Sequence, residues 1–218
     1  ALNRAGVESG QVVILILDHG PDLIYAFFGA VLQGAIPSIM PFLTEKLAPE
    51  PYRASLEALF RVTHPGAVIT QQEFQADVRQ AEAAVHEDIP ILLSEPAQPQ
   101  TGAQPEAFPG LQRSPDEIVL LQHSSGTTGL QKGVALSHRA VFNQLESYGH
   151  AILANHNHND VVVSWLPLYH DMGLIAGFLL PILSRIPLVL MSPFDWVRAP
   201  YRLFQALSLI HISEPTRL

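Results

Sequence analysis

Val12-Val13-Ile14-Leu15-Ile16-Leu17 runs without a polar break into Asp18-His19-Gly20-Pro21. An apolar run of strand length that ends in turn chemistry reads as a buried strand. Pro21 then stands where a first helical turn tolerates proline, so the spacing predicts a helix over residues 22–32. The same alternation continues outward. Gly34 and Pro37 close that helix before a short strand. Pro51 opens a second helix with Tyr52, Leu56, Leu59 and Thr63 on one face. Residues 66–70 form a strand, Phe74, Val78, Ala81 and Val85 mark an amphipathic helix, and residues 89–93 form another strand. Strands alternating with helices predict an α/β fold of mostly parallel sheets flanked by helices.

Residues 94–115 are rich in proline and glutamine and poor in apolar side chains, which predicts an exposed connector. The expected organisation is a first α/β segment over 1–98, a connector over 99–115, a second α/β segment over 116–207 and a tail over 208–218. In the second segment, strands over 117–122 and 134–136 flank a glycine-rich loop. Ser137 then caps a helix whose buried stripe is Val141, Leu145, Tyr148 and Ile152. Residues 160–165 follow as a strand, and residues 195–207 read as an amphipathic helix with Trp196, Tyr201, Leu203, Phe204 and Leu207 as its apolar positions.

Composition excludes several classes of function. The 218 residues are 48% hydrophobic and 15% charged, the balance of an ordinary globular interior. Twelve Lys and Arg against 20 Asp and Glu give a formal charge of −8, so no diffuse positive field is available for nucleic acid. The absence of cysteine removes disulfides, thiolate zinc sites and thiol nucleophiles, and fits a cytoplasmic location. Residues 172–191 are mostly apolar, but Pro181, Ser184, Arg185 and Pro187 interrupt them. No membrane span is expected there; a buried helix, a turn at Ser184-Arg185 and a buried strand fit better. His156, His158 and Asp160 stand two apart in or beside a polar run between a helix and a strand, weak evidence against a solvated turn, so no metal site is assigned to them.

The chemistry lies in His123-Ser124-Ser125-Gly126-Thr127-Thr128-Gly129-Leu130-Gln131-Lys132-Gly133. Gly126, Gly129 and Gly133 let the backbone approach a ligand closely. Ser124, Ser125, Thr127 and Thr128 supply hydroxyl donors, and Lys132 supplies a compact positive charge, which together make a polyphosphate cradle. It is not a Walker loop, because Gln131 and Gly133 flank the lysine where that pattern needs Gly and Ser or Thr. No Gly-Xaa-Ser-Xaa-Gly elbow occurs, so a serine hydrolase built on Ser124 or Ser125 lacks its strained turn.

This wording resembles the signature of the adenylate-forming superfamily: acyl-CoA synthetases, fatty-acyl-AMP ligases, peptide-synthetase adenylation domains and luciferases. Ser125-Gly126-Thr127-Thr128-Gly129 followed by Lys132-Gly133 carries the resemblance. Two residues depart from the usual pattern: Gln131 stands where proline is common, and His123 where tyrosine or threonine is common. Without the proline, φ at residue 131 is free, which leaves phosphate binding in place. A second stretch, Ser164-Trp165-Leu166-Pro167-Leu168-Tyr169-His170-Asp171-Met172-Gly173-Leu174, resembles the family's next motif, in which an aromatic or His residue borders the acyl pocket. Its wording, with Ser192-Pro193-Phe194 and Arg198-Ala199-Pro200, is most similar to fatty-acyl-AMP ligases and long-chain acyl-CoA synthetases. Residues 27–42 resemble an earlier family segment, so the likeness covers nearly the whole chain.

The resemblance implies that a carboxylate, a fatty acid by its closest wording, attacks the α-phosphate of ATP. An acyl-adenylate then passes to the thiol of CoA or of an acyl carrier protein. It implies phosphate binding by Ser124, Ser125, Gly126, Thr127, Thr128, Gly129, Lys132 and Gly133, with Lys132 and His170 as the residues nearest the chemistry. Family members take Mg²⁺ on a downstream Glu, the ribose on a downstream Asp, and use a lysine of a mobile C-terminal domain; those elements are expected outside this chain. The chain by itself is therefore expected to be an inactive fragment, and acyl-AMP formed from it with ATP and fatty acid would contradict that. The rival class is a non-catalytic nucleotide-binding module that retains the fold. Ser208-Leu209-Ile210-His211-Ile212-Ser213-Glu214-Pro215-Thr216-Arg217-Leu218 resembles the translated read-through of a sequencing-library adapter, so this tail is expected not to be native and no function is assigned to it.

Overall fold

The structure is a computed structural model; it describes residues 1–44, 47–94, 108–124, 132–152 and 160–212, with backbone alone for Ser124, Lys132 and residues 209–212. It divides into two compact units, Ala1–Arg139 and Ala140–Leu218.

The first unit is built on a parallel sheet of β1 (Val12–Ile16), β2 (Ile36–Ile39), β3 (Ala67–Thr70) and β4 (Ile91–Leu93), in the order β2-β1-β3-β4. The α/β expectation holds. Strand β1 lies inside the sheet, pairing Ile14 with Ser38 of β2 and with Val68 of β3. Because both its faces are covered, its side chains from Val13 to Ile16 are fully buried. Pro37 is tolerated in β2 because that strand is an edge of this sheet, where a missing N–H costs no ladder bond on the outer side.

Helices α1 (Pro21–Leu32), α2 (Pro49–Thr63) and α3 (Gln75–Val85) connect the strands. Proline occupies the first turn of α1 and α2, where its absent N–H would lack an intrahelical partner anyway. The buried stripe of α2 is Tyr52, Leu56, Leu59 and Phe60. Thr63, expected on that stripe, is only half-buried, and its hydroxyl donates to the Leu59 carbonyl at 2.8 Å. Arg53 of α2 pairs with Asp77 of α3 at 2.7 Å, tying the two helices together.

Residues 95–107 of the expected connector lie outside the described residues. Its end does not hang free: Pro109–Gln112 forms a 3-10 turn in which Gly110 sits against the carbonyls of Val31 and Leu32 at the end of α1. Any side chain at residue 110 would collide with that backbone, so glycine is what permits the docking. Strands β5 (Ile118–Ser124) and β6 (Lys132–Ser137) then form an antiparallel hairpin, with a register irregularity between Ile118 and Leu120, and β5 runs close to β2.

The second unit contains most of α4 (His138–Ala151), then β7 (Val162–Ser164) paired in parallel with β8 (Leu188–Leu190). Val141 and Leu145 are buried as expected, but Ile152 is 56% exposed because the helix ends before it. A helical run crosses α5 (Asp171–Leu174), a π-helical turn at Ile175–Leu179 and α6 (Leu180–Leu183). Arg185 follows in the left-handed region, at φ 58°, and turns the chain into β8. That strand was expected to be buried; it is half-exposed, because among the described residues it pairs with β7 alone.

The single helix expected over 195–207 is two: α7 (Pro193–Arg198) and α8 (Tyr201–Ile212). Pro200 forces the break, since it lacks an N–H and keeps Ala199 out of helical geometry (φ −143°, ψ 70°). Tyr201, Phe204 and Leu207, three of the apolar positions of that expected helix, are exposed. Helix α8 continues past Leu207 to Ile212, and residues 213–218 lie outside the described residues. Among the described residues no helix is long and apolar enough to cross a membrane.

Candidate functional site

The β5–β6 hairpin places the two ends of the glycine-rich loop. Ser124, the last residue of β5, is the backbone partner of Lys132, the first of β6, and His123 is the partner of Gly133. Local sequence explains the stem. Ile118, Val119, Leu120 and Leu121 supply strand-forming side chains on one arm, Val134 and Leu136 on the other, and Leu120 is fully buried. Ser125, Gly126, Thr127, Thr128 and Gly129 lie outside the described residues, as does Gln131. Ser124 and Lys132 are brought together across the stem by their backbones.

Gly133 is exposed, and its lack of a side chain has a packing reason. A Cβ there would lie 3.1 Å from Leu121 Cδ1 and 3.3 Å from His123 Nε2, tighter than ordinary van der Waals contact. Glycine thus lets the His123 ring lie against β6. On its other side His123 Nδ1 is 2.9 Å from the hydroxyl of Ser38 in β2. Burial pushes the His123 pKa below its ordinary value and favours the neutral ring. Sequence reasoning gave His123 no role and missed Ser38 altogether. The available signal was a serine inside the apolar strand Ile36-Pro37-Ser38-Ile39, where a buried hydroxyl needs a partner.

His170 belongs to the second unit. Its backbone is extended (φ −103°, ψ 141°) at the N-cap of α5, without a side-chain cap bond. Asp171 is the first residue of the helix rather than its cap, and its carboxylate accepts from the Met172 N–H at 2.7 Å. The His170 side chain is 62% exposed, with Nδ1 3.6 Å from Asp171 Oδ1. A tight turn presents it: the His170 N–H donates to the Pro167 carbonyl at 3.0 Å, and the Leu174 N–H donates to the His170 carbonyl at 2.8 Å. Gly173 makes that turn possible, because the Pro167 carbonyl rests where its Cβ would be. Beside the turn Trp165 stacks on Trp196 with ring centroids 4.0 Å apart, and burial raises the Tyr169 pKa.

His156 and His158 lie outside the described residues; among the described residues no three His, Asp or Glu gather to hold a metal ion.

Known proteins resemble this chain in sequence and in fold. A long-chain-fatty-acid–AMP ligase, FadD26 of Mycobacterium bovis, is 33% identical over 209 residues, covering 95% of this chain and 35% of the relative. 4-Coumarate–CoA ligase 2 of Petroselinum crispum is 30% identical over 207 residues, covering 90% of this chain and 36% of the relative. The chain thus spans about a third of the length of these curated relatives. A solved structure from a study of fatty acyl-adenylate ligases from E. coli and L. pneumophila superposes with a TM-score of 0.78 at 25% identity, over 95% of this chain and 36% of its own. The model of one family, AMP-binding enzyme, matches residues 1–213. A match of that extent leaves one assignment: the chain belongs to the AMP-binding enzyme family.

Proposed function

We propose that this chain is part of an ATP-dependent ligase that activates a carboxylic acid, with a fatty acid as its substrate class, by forming an acyl-adenylate. The observation that carries the reading is the hairpin closure at Ser124 and Lys132, which subtends a loop of hydroxyls, glycines and one lysine in a chain of the AMP-binding family. The likeness to a long-chain-fatty-acid–AMP ligase supports the substrate class.

In the proposed reaction a carboxylate oxygen attacks the α-phosphorus of ATP. The bond from that phosphorus to the bridging oxygen breaks, and pyrophosphate leaves with the electron pair. Charge grows on the leaving group, and fixed donors aimed at it lower the barrier. The hydroxyls of Ser124, Ser125, Thr127 and Thr128, the amides at Gly126, Gly129 and Gly133, and the Lys132 ammonium are the groups proposed for that task. Mg²⁺ would accompany ATP and offset charge on the leaving pyrophosphate. The acyl group then passes to the thiol of CoA or of a carrier protein, releasing AMP.

Carboxylate-dependent exchange of labelled pyrophosphate into ATP by the complete protein is the test. Exchange that depends on a fatty acid is the expected result, and none with any carboxylic acid overturns the reading.

His170 is proposed to border the acyl entrance, held out by the Pro167–His170 turn. His170→Ala is expected to raise the acid KM, or to change chain-length preference, by about fivefold or more while the ATP KM stays within twofold. Equal losses for every acid, with weakened ATP binding, would remove His170 from that entrance.

A further inference from the structure

Strand β2 is an edge of its sheet, yet all four of its residues are buried and Ser38 is completely so. The β5–β6 hairpin runs close to that edge and holds the partner of the buried hydroxyl. A hydroxyl taken out of water needs a hydrogen bond, and His123 Nδ1 provides it at 2.9 Å. His123 immediately precedes Ser124, where the stem of the loop closes on Lys132. The second nitrogen of its ring lies 3.3 Å from the position a side chain at residue 133 would take. One ring therefore touches β2 through a polar bond and abuts the backbone of β6 at the residue after Lys132.

This arrangement is more than a satisfied core histidine would require. A serine buried among apolar neighbours is met as well by a water or a backbone carbonyl, and an alanine at residue 38 would need no partner. The bond links the sheet, rigid through its parallel ladder, to the last residues before the loop, so it bears on the angle at which the stem leaves the sheet.

We propose that His123 is a positioning residue: through Ser38 it fixes the β5–β6 stem against β2 and so sets where Ser124 and Lys132 stand for a bound polyphosphate. The inference rests on the adenylation reading for its ligand, while its mechanical half stands on the geometry alone. Burial favours the neutral ring, in which one nitrogen accepts and the other donates, so the Ser38 bond needs no charge on His123.

The test uses the complete protein with His123→Ala, His123→Asn and Ser38→Ala. Asparagine places an amide close to where Nδ1 stands, so it restores the bond without the ring. His123→Ala and Ser38→Ala are expected to speed amide hydrogen exchange at Ser124 and residues 132–134 at least fivefold. Amides of β1 and β3 should remain at wild-type rates. The ATP KM in pyrophosphate exchange should rise at least fivefold with the acid KM unchanged, and the double variant should be no worse than either single one. His123→Asn should recover most of both effects.

Wild-type stem exchange and ATP KM in an active protein carrying His123→Ala overturn the inference. So does faster exchange spread equally over β1 and β3, which assigns the bond to general stability. If the wild-type protein performs no carboxylate-dependent exchange, the adenylation reading falls instead; stem amides that still loosen in both single variants then uphold the mechanical half.

Discussion

Replacing Lys132 with alanine in the complete protein is expected to slow carboxylate-dependent ATP–pyrophosphate exchange by at least tenfold. A hydrogen bond between an ammonium and a phosphate oxygen contributes roughly 1.5–3 kcal/mol when one partner is ionised, which corresponds to about a ten- to 150-fold change in rate or affinity. Lysine is a point charge on a flexible stem, so its effect depends on where its backbone starts. Here that start is held, because Lys132 is the first paired residue of β6 and faces Ser124 across the stem. Arginine at the same place retains the charge but not the compact head, and Lys132→Arg is expected to recover only part of the loss. The alanine variant should lose exchange with every acid alike, since the missing contact is to the nucleotide. Undiminished exchange in Lys132→Ala would remove this lysine from the phosphate site.

Gly173→Val is expected to destabilise the complete protein by about 3 kcal/mol, the upper part of the range for forcing extra atoms into a packed site. The clash is with backbone and not with a movable side chain. A Cβ at residue 173 would press the Pro167 carbonyl oxygen, lie 2.9 Å from its carbon and 3.1 Å from the Leu166 carbonyl oxygen. No rotamer relieves such contacts, and valine adds a second branch at the crowded atom. Either the start of α5 or the Pro167–His170 turn must move. Because the His170 N–H is bonded to that same Pro167 carbonyl, the acid KM should rise together with the loss of stability, while the ATP KM should not. Gly173→Ala should show the same signs at smaller size. A valine variant with wild-type urea midpoint and acid KM would show that the turn does not rest on residue 173.

Lys132 and Gly173 differ in where their roles are written. Lys132 stood out from the chain alone, because phosphate chemistry demands particular residue types at particular spacing, and both are properties of sequence. Gly173 stood within a motif as well, but its physical reason, a carbonyl resting against it, depends on a turn folding back over a helix. Ile152, Thr63 and Tyr201 show the same limit from the other side. Each falls at the right interval for a buried helical stripe, yet periodicity marks a face without saying where the helix ends or what covers it. Ile152 lies past the end of α4, Thr63 satisfies its hydroxyl within α2, and Pro200 cuts the helix just before Tyr201.

From its residues alone this chain declared an alternation of strands and helices, a buried strand from Val12 to Leu17 and a phosphate-type loop flanked by two strands. Hydrophobic period, turn residues and motif spacing are local quantities, written within a few residues of one another. Tertiary structure decided the order β2-β1-β3-β4, the docking of Gly110 on the end of α1 and the bond between Ser38 and His123. Those two residues stand 85 positions apart, and neither names the other. Only folding the sheet edge beneath the hairpin takes the Ser38 hydroxyl out of water, and that loss of solvent is what requires the bond.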